Sequence, residues 1–167
     1  CGEGVFPLRP PRWPSRKKIP PVASSAGAWD QAAPIARRNG FENIDFVQAD
    51  CFDYLEKLAS EKQKFQSVVL DPPRMASSRN QVPAALRAYH RLNLSAVNLL
   101  EPEGILVTCS CSGRVSRDDF AGVLASVARR TGRSLQIIES HRADFDHPVD
   151  ASCLETEYLK CFICRVS

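Results

Sequence analysis

The sequence has no run of about 18 apolar residues, so it offers no helix long enough to span a membrane. Its start lacks the basic, apolar, small-residue order of a secretory leader, and a cytosolic location is expected. It has no internal repeats and no low-complexity tail, which sets aside solenoids and repeat arrays. The seven cysteines are an odd number without a secretion signal, which argues against a disulfide framework. Cys161-x-x-Cys164 has the spacing of a metal or redox pair, but no second pair stands at zinc-finger distance, and no metal site is expected. Its neighbours Tyr158, Leu159, Phe162, Ile163 and Val166 read as a strand. Two thiols packed there as small hydrophobes are the expectation.

What is present suffices for one domain: 167 residues, 44% hydrophobic and 25% charged. The net charge of +3 permits a nucleic-acid partner without requiring one. Charge and proline are unevenly spread. Residues 9–18 carry Arg9, Arg12, Arg16, Lys17 and Lys18 with no acid, and residues 1–30 hold six of the twelve prolines. That density breaks helices and central strands, so an irregular stretch is expected over 1–30.

From residue 31 the pattern becomes regular. Helices are expected over 31–39, closed by Asn39-Gly40, over 52–60, over 79–100, and over 116–131, opened by Ser116 with Asp118 and Asp119 in the first turn. Strands are expected over 44–48, 67–70, 105–109, 135–139 and 158–166, with a turn at Glu103-Gly104. Alternating strands and helices with nearly continuous apolar strand cores predict an α/β fold on a mainly parallel sheet. The last two strands follow each other without a helix, which predicts an antiparallel closing pair at one edge.

In open α/β sheets, ligands bind beyond the carboxyl ends of the strands. Strand 44–48 runs into Ala49-Asp50-Cys51-Phe52, strand 67–70 into Asp71-Pro72-Pro73-Arg74, and strand 105–109 into Ser110-Cys111-Ser112-Gly113. One rim would thus receive an acid, an acid before a rigid diproline, and a thiol. A thiolate is a strong nucleophile once its proton is taken. Attack on pyrimidine C6 makes C5 enamine-like and able to accept a methyl group. A carboxyl such as Asp71, held above its ordinary pKa, could supply the hydrogen bond that N3 needs as charge develops. Asp50 alone reads equally well as a helix N-cap. Two prolines fix the chain behind Asp71, so that acid is read as positioned for function.

The stretch from Gln48-Ala49-Asp50 through Val69-Leu70-Asp71-Pro72-Pro73 to Thr108-Cys109-Ser110-Cys111-Ser112-Gly113 resembles the large-subunit rRNA cytosine-C5 methyltransferase family. Tyr89 with Asn93, Asp146-His147-Pro148-Val149 and Tyr158-Leu159-Lys160 fit the same family, and the likeness covers roughly 31–167. The resemblance implies a Rossmann-like class I methyltransferase sheet and S-adenosylmethionine as cofactor, with ribosomal RNA as partner. It implies Cys111 as nucleophile, Asp71 with Pro72 and Pro73 between cofactor and base, and Asp50, Cys51 and Phe52 near the adenine. It also implies a catalytic domain only, since the family adds an N-terminal RNA-binding domain. Cys1-Gly2-Glu3-Gly4-Val5-Phe6 looks like the tail of the glycine-rich cofactor loop, which assigns Gly2, Gly4 and Phe6 to the cofactor.

The beginning departs from that family. Val22 to Ala26 falls where a strand should end in an acid for the ribose hydroxyls, and Ala23 stands in the acid's place. A basic arm for RNA phosphates is one reading of 1–30. An altered remnant of the cofactor-loop region is preferred, because length is kept while helix and strand chemistry is lost. Two other functions stay open: methylation of a guanine or adenine amino group, which needs no thiol, and a catalytically inactive RNA-binding domain of the same fold.

Overall fold

The structure is a computed structural model and describes residues 20–24, 26–153 and 156–167. It divides into two units, Cys1–Tyr54 and Leu55–Ser167.

The first unit holds β1 (Val22–Ala23), α1 (Ala26–Arg38) and β2 (Val47–Gln48). The two strands are parallel, with Val22 opposite Val47 and Ala23 opposite Gln48. Among the described residues, regular structure begins at Val22, inside the stretch expected to be irregular. Pro34 lies within α1; proline removes one helical N–H there, and the helix continues across the gap. The expected closure at Asn39-Gly40 is present. Gly40 takes φ +73°, and Gly40 N and Phe41 N donate to Arg37 O and Ala36 O at 3.0 Å each. This is a Schellman motif, and its left-handed residue favours glycine. The strand expected over 44–48 is cut to two residues. Phe46, just before β2, instead stacks at a tilt against Trp29 of α1, 5.2 Å between ring centres.

Helix α2 (Cys51–Ser60) follows β2. The second unit contains β3 (Phe65–Leu70), a single 3-10 turn at Arg79–Gln81, α3 (Val82–Leu99), β4 (Leu100–Ser110), α4 (Arg117–Thr131), β5 (Leu135–His141) and β6 (Lys160–Val166). Its sheet runs in the order β3-β4-β6-β5. β3 and β4 are parallel, and β6 is antiparallel to both of its neighbours. The antiparallel pair is thus present, and β6 is inserted between β4 and β5, leaving β5 as the outer strand.

The residue patterns explain the placement. On β6, Lys160, Phe162, Cys164 and Val166 are all buried, whereas β5 is mostly exposed. An outer strand needs less apolar surface than an inner one. Ser116 caps α4 as expected: its Oγ accepts from Asp119 N, and Asp119 Oδ2 accepts from Ser116 N, both at 3.0 Å. At the start of β4, a Cβ on Gly104 would lie 2.9 Å from Glu101 O and 3.2 Å from Gln66 O. Glycine is what lets β4 turn in against β3 there.

The core lies between one face of this sheet and the pair α3 and α4. Phe120 is fully buried, edge-on to Tyr89 at 5.1 Å and stacked on Phe162 at 5.7 Å. Arg133 closes the far end, donating to Val97 O, Leu100 O, Glu101 O and Val166 O at 2.7–3.1 Å. One guanidinium so supplies donors to carbonyls left open at the end of α3 and at strand ends. Among the described residues, no helix is long and apolar enough to cross a membrane.

Candidate active site

Because β3 and β4 are parallel and paired with Leu70 opposite Thr108, their carboxyl ends reach one rim. There Asp71-Pro72-Pro73-Arg74 leaves β3, and Ser110-Cys111-Ser112-Gly113 leaves β4. The Cys111 thiol donates to Pro72 O at 3.7 Å. The prolines have no N–H to hold their segment, so the next two residues do it. Met75 N and Ala76 N both donate to Ser112 Oγ, at 3.0 and 3.2 Å.

Two buried side chains hold the Ser-Cys-Ser turn from below. Tyr89 Oη accepts from Ser110 Oγ and shares a hydrogen bond with Ser112 Oγ, each at 3.0 Å. Its helix neighbour Asn93 donates to Tyr89 O at 2.8 Å. Lys160, 4% exposed, gives its three ammonium protons to Ser112 O, Val115 O and Tyr158 O at 2.7–2.8 Å. Cys111 is thereby flanked by two serines whose hydroxyls are fixed, and it stays partly accessible itself. Buried hydrogen-bonded networks of this kind favour one geometry, and Asn93 Oδ1 is the atom of this one left without a partner.

The electrostatics of the rim are mixed. Asp71 faces solvent at the mouth, yet the protein packed on one side holds its carboxyl above the ordinary range. Burial raises the Cys111 thiol, and the Asp71 charge raises it further, while Arg74 and Lys160 pull it down. The resting group is a thiol, which must lose its proton to attack. Burial lowers Lys160 to about 8, and the three carbonyls around it favour its charged form. Beside the turn lies a cavity of about 150 Å³ lined by Arg74, Ala76, Ser77, Gly113, Arg114 and Tyr158. A larger open hollow of about 380 Å³ between α3 and α4 includes no strand-end residue.

The residues expected to form a site are distributed as follows. Cys111, Asp71, Pro72 and Pro73 come together at the β3/β4 rim. Asp50, Cys51 and Phe52 belong to the first unit, where β1 and β2 end side by side, with Ala49 N donating to Ala23 O at 3.2 Å. Asp50 Oδ1 accepts from Phe52 N at 2.8 Å and Asp53 N at 3.3 Å, so one of its oxygens caps α2. Cys51 is exposed, its thiol raised by burial and then by Asp50. Gly2, Gly4 and Phe6 lie outside the described residues. Sequence reasoning picked out Tyr89 and Lys160 without giving either a task. It missed the binding of the diproline segment by Ser112, for which a serine after the candidate nucleophile was the only signal.

A family model described as a methyltransferase domain matches residues 25–155. The chain is 38% identical over 152 residues to the ribosomal RNA large subunit methyltransferase I of Klebsiella pneumoniae strain 342, covering 90% of this chain and 38% of that protein. It is 42% identical over 147 residues to the protein of the same name from Serratia proteamaculans strain 568, covering 87% of this chain and 37% of the relative. The chain thus spans less than two fifths of the length of these relatives. Among solved structures it is similar to the methyltransferase SMU.776 complexed with SAH, with a TM-score of 0.75 at 16% identity, covering 89% of this chain and 39% of that one. It is also similar to NSun6 from Pyrococcus horikoshii with SFG, with a TM-score of 0.59 at 17% identity, covering 89% of this chain and 41% of that one. These likenesses bear out the Rossmann-like methyltransferase fold.

Proposed function

The chain belongs to the methyltransferase-domain family, and from that premise we propose that it is the catalytic domain of an S-adenosylmethionine-dependent RNA methyltransferase that modifies cytosine C5 of large-subunit rRNA through Cys111. The observation that carries this reading is the Cys111 turn: a partly accessible thiol at a strand end, 3.7 Å from Pro72 O and locked by buried partners on both sides. The relatives' name, ribosomal RNA large subunit methyltransferase, supports the substrate class.

The described residues fit the cofactor at one end. Asp50 follows β2 as an exposed carboxylate, Phe52 two residues on is half-buried, and one Asp50 oxygen serves the cap. That arrangement suits an adenine amino group and ring. At the end of β1 the methyl of Ala23 offers the ribose hydroxyls no acceptor. Asp50 and Phe52 would hold the adenine. When bound, the cofactor supplies an electrophilic methyl group.

The protein's own residues account for the rest. An unpaired cytosine enters the rim. Cys111 gives its proton to solvent and bonds to C6, which raises electron density at C5; once C5 is methylated, loss of its proton to solvent breaks the C6–S bond and frees the thiolate. Asp71, protonated more readily than an ordinary carboxyl, donates to N3 as negative charge spreads into the ring. Tyr89, Ser110, Ser112 and Lys160 keep Cys111 in line. Arg74 and Arg114, lining the neighbouring cavity, offer charge to the RNA phosphates.

The raised Cys111 thiol favours a second reading, in which the Asp-Pro-Pro segment holds a guanine or adenine amino group and the thiol stays a bystander. Nucleoside mass spectrometry after incubating the chain with rRNA fragments and isotope-labelled S-adenosylmethionine separates the two. Label in 5-methylcytidine supports the first reading. Label only in N-methylated guanosine or adenosine overturns it.

A further inference from the structure

Cys109 and Cys161 have no part in that chemistry, and their arrangement differs from what the Cys161-x-x-Cys164 spacing suggests. On β6 the burial alternates, with Lys160, Phe162, Cys164 and Val166 on the core face. Cys161 and Cys164 are three positions apart and therefore point to opposite faces. Cys164 is fully buried in the core cluster with Phe120 and Leu106. Cys161 lies directly opposite Cys109 across the antiparallel β4–β6 ladder. Directly opposed residues share a face, and their Cα atoms stand about 4.5–5.5 Å apart, inside the span a disulfide needs.

We propose that Cys109 and Cys161 form a hydroperoxide-reactive thiol pair that closes reversibly into a disulfide across the β4–β6 ladder. Opposed on one face of the ladder, the two thiols are direct cross-strand neighbours. The neighbouring Cys109 thiol brings Cys161 down to about 7, against burial and the charge of Asp71, while the charge of His141, opposite it on β5, and of Arg117 also favours the thiolate. Cys109 is raised by its Cys161 neighbour and by burial, and is 8% exposed. Cys161 is more open and attacks first. Its thiolate bonds to one peroxide oxygen, the O–O bond breaks, and the departing hydroxide takes up the Cys109 proton as water. The Cys109 thiolate then attacks the Cys161 sulfenic sulfur and expels hydroxide, which leaves as a second water after protonation from solvent. Two thiols and one hydrogen peroxide give one disulfide and two waters. Dithiothreitol, or a cellular dithiol, restores the pair. Cys111 is raised rather than lowered, so it reacts more slowly. The proposal does not depend on the reaction assigned to Cys111.

The test is peptide mapping of the 167-residue chain after stoichiometric hydrogen peroxide and blocking of free thiols. Trypsin leaves Cys109 and Cys111 in one peptide and Cys161 and Cys164 in another, so variants assign the sulfurs. The expected result is a dithiothreitol-sensitive link between these two peptides, two hydrogens lighter than their sum. The link should persist in Cys111→Ser and Cys164→Ala and vanish in Cys109→Ala and Cys161→Ser, with circular dichroism verifying that each variant is folded. Recovery of both Cys109 and Cys161 as blocked free thiols would overturn the proposal. So would a link that survives Cys161→Ser or is lost in Cys111→Ser.

Discussion

The two rims of this protein are held in different ways. At the end of β2, Asp50 is exposed and spends one oxygen on the α2 cap, next to strands only two residues long. At the ends of β3 and β4, Cys111 sits on a turn pinned from the buried side by Tyr89, Ser112 and Lys160. The first rim fixes Asp50 itself through hydrogen bonds to near neighbours in sequence, beside a strand pairing of only two residues. The second draws on residues from α3, β4 and β6, far apart in the chain. A site that must hold a reacting atom within a fraction of an ångström needs the second kind of support. A site that grips a cofactor's periphery can be built from the first.

This contrast predicts effects that fall off in order. Lys160→Met should cost the most, about 3 kcal/mol in urea unfolding, because two buried carbonyls lose their donor. Tyr89→Phe should cost about 1–2 kcal/mol by leaving the Ser110 and Ser112 hydroxyls short of a partner. It should lower kcat with little change in KM; an unchanged kcat would show that the turn holds itself. At the first rim, Asp50→Ala should cost about 1 kcal/mol as a lost N-cap. Calorimetry should also find weaker binding of S-adenosylhomocysteine, with kcat at saturation little altered. The smallest effect concerns pH. Because the Cys111 proton is held above its ordinary value, alkylation of Cys111 should reach half its maximal rate at a higher pH than for free cysteine. Arg74→Ala removes a charge that lowers this pKa and should move the midpoint further up. A midpoint below that of free cysteine would contradict the burial argument.

The same contrast governs what could be read from the sequence. Local features were legible: the Ser116 cap, the Gly40 closure, and the Asp-Pro-Pro and Ser-Cys-Ser-Gly strand ends, since each is written in a few adjacent residues. The strand over 44–48 shrank to Val47–Gln48, and helix α1 began well before residue 31 and ran through Pro34. Short apolar runs near proline carry signals too weak for sequence to resolve. Long-range features were not legible at all. Nothing in the chain's order says that β6 slots between β4 and β5, and so nothing paired Cys161 with Cys109 rather than Cys164. The task of Lys160 was hidden for the same reason, since its acceptors, apart from Tyr158 O, lie more than forty residues away.

The central claim is that Cys111 bonds covalently to cytosine, and trapping tests it most directly. The chain is incubated with S-adenosylmethionine and an rRNA fragment carrying 5-fluorocytosine, in which fluorine blocks loss of the C5 proton and with it release of the thiol. The expected result is a denaturation-stable protein–RNA adduct whose peptide map places the link at Cys111, absent in Cys111→Ala. Methyl transfer to unmodified RNA without any such adduct, or an adduct that survives Cys111→Ala, would contradict it.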